Sequence, residues 1–282
     1  MLNAQCTMCI VPFFGVPRPR VFAHRGGIAL GPENTIAAFD LGLAAGADGL
    51  ELDVHLSADG VVVVCHDATL DRTTDASGPV ATRTAAELSR VDAGFRYSGR
   101  DGSYPFRGQG IGIPTLRDVL RRYADIPIII EMKADHEEMG LSVVAEVVSA
   151  SALGRVCVAS IGCRAIRAAR ATLADLETSA CRQEIRLALY RSRVRWPVRG
   201  RAYGGYQVPE ISGKTRVVSP VFIRHAHRAG LEVQVWTVDE EPDMQRLLAW
   251  GADGLITNRP GLAVTVRDRF MSAGQSDAVS RR

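Results

Sequence analysis

The chain has 282 residues, of which 46% are hydrophobic and 23% charged. Those proportions exclude a disordered chain, and the length suits a single α/β barrel with a sizeable core. A formal net charge of +3 is too small to point to nucleic acid, and the basic–aromatic interleaving of single-strand binders is missing.

Residues 1–20 read as a poorly defined leader. The run from Cys6 to Val16 is apolar, but Pro12 and Gly15 interrupt it, no basic segment precedes it and no cleavage pattern follows. Nowhere does the chain supply the roughly twenty apolar residues of a membrane span, which leaves peripheral lipid contact open. Cys6 and Cys9 have the spacing of half a zinc site, without a second pair. Together with Cys65, Cys157, Cys163 and Cys181 they are scattered, and are expected to be reduced thiols in a cytoplasmic protein.

From Val21 to about Ala273, short β-rich runs alternate with helical patterns, as in a parallel sheet with crossover helices. Eight strands are expected: Val21–Ala23, Gly49–Val54, Ile126–Glu131, Val156–Ile161, Leu176–Ala180, Tyr203–Val208, Glu232–Val238 and Gly254–Thr257. Helical patterns lie between most of them, and no dinucleotide fingerprint is present. The pattern predicts a (β/α)8 TIM barrel, one domain over 21–273. Val61–Cys65 is a further strand, separated from the strand of Glu51 and Asp53 by Ser57-Ala58-Asp59-Gly60 alone. So short a link allows only an antiparallel hairpin. If Leu56 faces Val61, Glu51 lies across from His66, which sets an imidazole beside two carboxylates. A Gly-rich insertion of about 67–113 is expected over the barrel mouth, without a core of its own. Arg182, Arg186, Arg191, Arg193, Arg195, Arg199 and Arg201 crowd one stretch whose single acid is Glu184. It reads as a solvated loop and helix face, or as a patch that steers anionic substrates or touches an anionic lipid surface. Residues 274–282 form a polar tail expected to be disordered.

Four clusters at strand C-termini carry chemistry, which is where barrel enzymes place their sites. In His24-Arg25-Gly26-Gly27 the glycines let backbone pass close to a ligand, and Arg25 offers a planar fork for phosphate. In the following Pro32-Glu33-Asn34-Thr35, Asn34 or Thr35 can serve simply as a helix cap. Glu51 and Asp53, at i and i+2, share a strand face at about 6.5 Å. Between Leu50, Leu52 and Val54 such a pair is costly unless it binds something positive, for which a hard divalent cation is the usual solution. Glu131 and Lys133 repeat the spacing. Such a pair is most often a structural ion pair, but here it offers a third metal ligand and a phosphate contact. Trp236 is either core or a wall against substrate.

The ordered motifs HRGG, PENT, ELDVHLSADGVVVVCHD, GIPTL, EMK, WTVDE and GADGLITNRP closely resemble the glycerophosphodiester phosphodiesterase family in its compact bacterial form, from about Val21 to Pro260. The resemblance implies His24 and His66 as catalytic, Glu51, Asp53 and Glu131 as ligands of one Mg2+ or Ca2+, Arg25 and Lys133 as phosphate contacts, and Trp236 near the glycerol moiety. The implied activity is hydrolysis of a small glycerophosphodiester to glycerol 3-phosphate and an alcohol by histidine acid–base catalysis. A lysophospholipid-directed phosphodiesterase of the same superfamily and a non-catalytic binding barrel are the alternatives. Met132, Ser160-Ile161 and Thr178-Ser179-Ala180-Cys181 depart from the family pattern, and bear on substrate preference rather than reaction type.

Overall fold

Aliphatic runs rich in Val and Ile favour a pleated, doubly covered surface, and they form the strands β1 (Arg20–His24), β2 (Gly49–Leu56), β3 (Val62–Val64), β4 (Ile128–Met132), β5 (Val156–Ser160), β6 (Gly205–Pro209), β7 (Ile211–Ser212), β8 (Thr215–Arg216), β9 (Glu232–Trp236) and β10 (Gly254–Thr257). The helices are α1 (Ile36–Ala44), α2 (Ala85–Leu88), α3 (Leu116–Arg122), α4 (Glu137–Ser149), α5 (Arg164–Thr172), α6 (Arg182–Arg193), α7 (Pro220–Arg228), α8 (Glu241–Trp250) and α9 (Pro260–Ser280). This computed structural model describes residues 13–15, 19–198 and 202–280, with backbone alone for 274–280. Cys6, Cys9 and most of the leader lie outside the described residues.

Seven strands run parallel in the order β5-β4-β2-β1-β10-β9-β6. The gap between β5 and β6 is filled by residues 177–180, expected as a full strand but present as two parallel bridges. Val158 N donates to Glu177 O at 3.0 Å, and Ala180 N donates to Gly205 O at 3.0 Å. These bonds close a (β/α)8 barrel and leave no free edge between β5 and β6. Apolar side chains of strands and helices pack between the two layers in two large clusters, one around Leu52, Ile130 and Val143, the other around Val208, Val233 and Leu247.

Several expectations are corrected. The hairpin register is shifted by one: Val54 pairs with Val64 and Leu56 with Val62. Ser57 N bonds to Val61 O at 3.0 Å, so Val61 belongs to the turn and Asp53, not Glu51, is nearest the end of β3, with Cys65 N donating to Asp53 O at 3.0 Å. The insertion does own a small core, in which Leu70, Val80, Leu88, Val91 and Ile113 pack on Val63 and Cys65 of the hairpin. Of the arginine-rich stretch, read as a loop and helix face, Arg182–Arg193 form helix α6, and Arg199 and Arg201 lie outside the described residues. The last helix continues through the expected disordered tail to Ser280. Cys163 and Cys181 form a disulfide, Cα to Cα 5.5 Å. They end up adjacent because each begins a helix, α5 and α6, that follows neighbouring staves of the barrel. The bridge contradicts the expectation of reduced thiols at these two positions, while Cys65 and Cys157 are free. Among the described residues no helix is long and apolar enough to cross a membrane.

Part of the leader is core. Phe13 is 1% exposed and stacks on Phe22 at 5.7 Å between ring centres, in a cluster with Ile129, Cys157 and Ile256. Phe14 lies against Gly204 and Gly205, where a Cβ would come within 3 Å of its ring. These rings stopper the N-terminal end of the barrel. Replacing Phe13 with Ala should cost roughly 3–5 kcal/mol, read as a lower urea midpoint at unchanged m. An unchanged midpoint would mean that the ring is not part of the folded core.

Candidate active site

At the opposite, C-terminal end, strand register brings the polar groups together. His24 on β1 is the lateral partner of Glu51 on β2, and Asp53 on β2 is that of Glu131 on β4. Two rungs of one sheet face therefore hold an imidazole and three carboxylates. One oxygen from each of Glu51, Asp53 and Glu131 lies within 4.8 Å of the others. Lys133 follows β4 and His66 follows β3. His24, Arg25, Glu51, His66, Glu131, Lys133 and Trp236 all line one cavity of about 800 Å3. Asp53 sits at its base, 1% exposed. The eight residues singled out by the sequence thus meet in one place.

The electrostatics are unbalanced. Burial pushes the Glu51 carboxyl well above the usual range, and the charges of Asp53 and Glu131 push it further. Burial also raises Glu131, against the pull of Lys133. Asp53 is buried as well, yet Lys133 and Arg25 outweigh burial and hold it low. Lys133 Nζ lies 3.2 Å from Asp53 Oδ1 and 3.4 Å from Glu131 Oε1, and Arg25 Nε lies 3.0 Å from Asp53 Oδ2. Even so, Asp53 Oδ1 receives no well-directed hydrogen bond. Three carboxylates thus share two cationic side chains.

The loop after β1 is shaped for packing as much as for ligand. Gly26 has φ +89°, and a Cβ there would come 2.7 Å from the Ala38 backbone, so this glycine lets the loop seat on α1. Arg25 itself adopts φ 52°, an uncommon conformation for a side chain of its size. It is held by its backbone N–H donating to Glu51 Oε2 at 3.1 Å, and by Asn34 N donating to Arg25 O at 2.9 Å. Thr35 caps α1, accepting from Ala38 N. Asn34 does other work: its Nδ2 donates to Asp53 Oδ2 at 2.9 Å, and Asp53 N donates to its Oδ1 at 3.2 Å.

Both histidines are oriented through Nδ1. His24 Nδ1 is 2.7 Å from Asn258 Oδ1, and Asn258 Nδ2 donates to Asp239 Oδ2 at 2.7 Å. Because an ionised Asp239 only accepts, the amide is fixed with its oxygen toward His24. His24 then carries its proton on Nδ1 and turns a bare Nε2 to the site, 3.9 Å from Glu51. Burial, then Arg25, lowers the His24 pKa and keeps the ring neutral. His66 Nδ1 lies 2.6 Å from Asp67 Oδ1. Asp67 is held down to about 2, chiefly by its hydrogen bond from Arg72. Arg72 also bridges to Glu33, whose other partner is Arg25.

Sequence reasoning missed Asn34 as a carboxylate partner, as well as Glu33, Asp67, Arg72, Asp239 and Asn258. For all but Arg72, which lies in none of the motifs, the only signal was their presence inside them: PENT, the HD dipeptide, WTVDE and TNRP.

A family model described as the glycerophosphoryl diester phosphodiesterase family matches residues 24–262. A glycerophosphodiester phosphodiesterase of Caldanaerobacter subterraneus is 32% identical over 252 residues, covering 85% of this chain and 94% of its own. The crystal structure of a glycerophosphodiester phosphodiesterase from Agrobacterium tumefaciens is similar at a TM-score of 0.70 and 26% identity, over 87% of this chain and 99% of that one. A phosphodiesterase of Oleispira antarctica, solved in complex with its product sn-glycerol-3-phosphate, also has a TM-score of 0.70, at 25% identity over 89% of this chain and 97% of that one.

Neutralising one member of the carboxylate cluster separates its cost from its use. In chelator, Glu51→Gln should melt no lower than the parent, since like-charge repulsion is relieved. Excess Mg2+ or Ca2+ should raise the parent's Tm by roughly 5 °C and the variant's by much less. Equal shifts in both proteins would remove Glu51 from any cation site.

Proposed function

The chain belongs to the glycerophosphoryl diester phosphodiesterase family, and we propose that it hydrolyses glycerophosphodiesters to glycerol 3-phosphate and an alcohol, using a divalent cation and two histidines. The observation that carries this reading is the convergence of three carboxylates, two cationic side chains and two imidazoles on one cavity. The product sn-glycerol-3-phosphate in the Oleispira antarctica relative supports the choice of substrate.

The residues fit a metal. Glu51, Asp53 and Glu131 offer oxygen donors only, as hard cations such as Mg2+ or Ca2+ require, and Asp53 Oδ1 is buried without a directed hydrogen bond. A cation held there would neutralise charge building on the non-bridging phosphate oxygens. Arg25 and Lys133, which now contact Asp53, would supply cationic donors to the phosphate beside such a cation.

The proton steps fall to the histidines. His24, neutral with Nε2 free, takes the proton of the attacking hydroxyl, either water or the glycerol 2-hydroxyl. As that oxygen bonds to phosphorus, the bond to the alcohol oxygen breaks. His66, beside the Asp67 carboxylate, gives a proton to the departing alkoxide. If the 2-hydroxyl attacks first, water then opens the cyclic phosphate with the roles reversed. A barrel that only bound its ligand would have no use for two imidazoles, each oriented at Nδ1 by a side-chain partner. Trp236, on the cavity wall, would lie against the substrate's carbon skeleton.

Glycerophosphoethanolamine should yield glycerol 3-phosphate in Mg2+ or Ca2+ and none in excess chelator. Full activity in chelator overturns the metal assignment. His24→Ala should lower kcat by at least about 100-fold, and an undiminished rate overturns the catalytic one. Asn258→Ala should lower kcat roughly tenfold with KM little changed, because it releases the ring rather than the substrate. A change confined to KM would place Asn258 in binding instead.

A further inference from the structure

Helix α6 of the arginine-rich stretch, which the phosphodiesterase reading leaves unused, forms one wall of the cavity. Arg182, Ile185, Arg186, Leu189 and Arg193 of α6 all line it. Their spacing of three and four residues puts them on one helix face, so cations and aliphatic side chains alternate along a single stripe. The three arginines are exposed at the rim, and among the described residues no carboxylate pairs with any of them. Glu184, the single acid of α6, is already occupied: it accepts from Arg170 Nη1 at 2.8 Å and from Cys181 N at 2.8 Å. The only acids among the cavity-lining residues are Glu51 and Glu131, both in the carboxylate cluster. That cluster, with Arg25 and Lys133, accounts for the phosphodiester. The α6 wall therefore faces whatever is esterified to it.

We infer that this wall is a subsite for the alcohol moiety, and that it selects an alcohol bearing a negative charge over a cationic one. The inference rests on the phosphodiesterase reading and extends it to the substrate's other half. A choline or ethanolamine group would meet three guanidiniums and no carboxylate. A carboxylate or phosphate would meet planar forks able to bind it in pairs of hydrogen bonds. Ile185 and Leu189, between the arginines, give the alcohol's carbons an apolar surface.

Glycerophosphoserine and glycerophosphoethanolamine differ by one carboxylate and test this directly. With glycerol 3-phosphate release as the readout, kcat/KM for the serine diester should exceed that for the ethanolamine diester by about three- to tenfold at low salt, from rim charges of modest individual weight. The preference should shrink as salt is raised. It should vanish in the triple variant Arg182→Gln, Arg186→Gln, Arg193→Gln and persist in the corresponding triple Lys variant. The single Arg186→Gln variant should show an intermediate ratio should the triple one fail to fold. Equal rates on the two diesters in the parent, or a preference untouched by the Gln variants, overturn the subsite while leaving the phosphodiesterase reading standing. Release of no glycerol 3-phosphate from either diester overturns both.

Discussion

The constraint on which the molecule turns is the crowding of three carboxylates, two of them buried, into one small volume. Glu51 and Asp53 are 4% and 1% exposed, and their oxygens lie within 4.8 Å of each other and of Glu131. Removing such charges from water costs several kcal/mol for each ion, and their mutual repulsion adds to it. No side-chain rearrangement escapes this, because the positions are set by backbone register: Asp53 lies beside Glu131, and Glu51 beside His24, as long as β1, β2 and β4 pair. The barrel's own hydrogen bonds therefore enforce the unfavourable cluster. Arg25, Lys133 and Asn34 offset it mainly at Asp53, the one carboxylate held low, while Glu51 and Glu131 remain raised. An unevenly compensated cluster of this kind is what a tightly bound cation would stabilise.

A second asymmetry is built into the imidazoles. His24 leans on a neutral amide, Asn258, which is itself anchored to Asp239. His66 leans on a carboxylate, Asp67, which Arg72 keeps ionised. Next to an amide, a ring keeps its tautomer but gains little from acquiring charge. Two otherwise equivalent residues are thus held by unlike partners, one by a neutral amide and the other by a carboxylate. Arg72 ties the arrangement together, since it also grips Glu33, the partner of Arg25. The insertion that carries Arg72 is thus connected to both His66 and Arg25.

What the sequence revealed, and what it withheld, follows from range. The period-two placement of Glu51 and Asp53, and of Glu131 and Lys133, is a local property of a strand, and it survives in the structure. So does the alternation that defines the barrel. The hairpin register was misjudged by one because a link of four or five residues closes equally well on paper, and only the bond from Ser57 N to Val61 O decides between them. The pairs His24–Asn258 and Asn34–Asp53 span 234 and 19 residues, and no periodicity announces them. The Cys163–Cys181 bridge depends on two helix starts becoming neighbours around the ring. The helix face in the arginine-rich stretch was legible, but that it lines the cavity was not, because that depends on how α6 packs against the barrel.

One strand shows how the fold keeps its stability away from its chemistry. β1 begins at Arg20, whose guanidinium stacks over Phe13 and Phe22 and lies 3.4 Å from Glu232. It ends at His24, in the cavity. At the N-terminal end, charge is covered by aromatic rings and sealed by the leader, so the ion pair is dry and structural. At the C-terminal end, charge is left in surplus and open to a cavity. Four residues, about 13 Å of extended chain, separate the two. A substitution at the stoppered end should therefore act through the population of folded barrel, whereas one at the mouth acts on an already folded scaffold. This division lets the mouth carry strained backbone at Arg25 and unevenly compensated carboxylates without unravelling the strands that hold them.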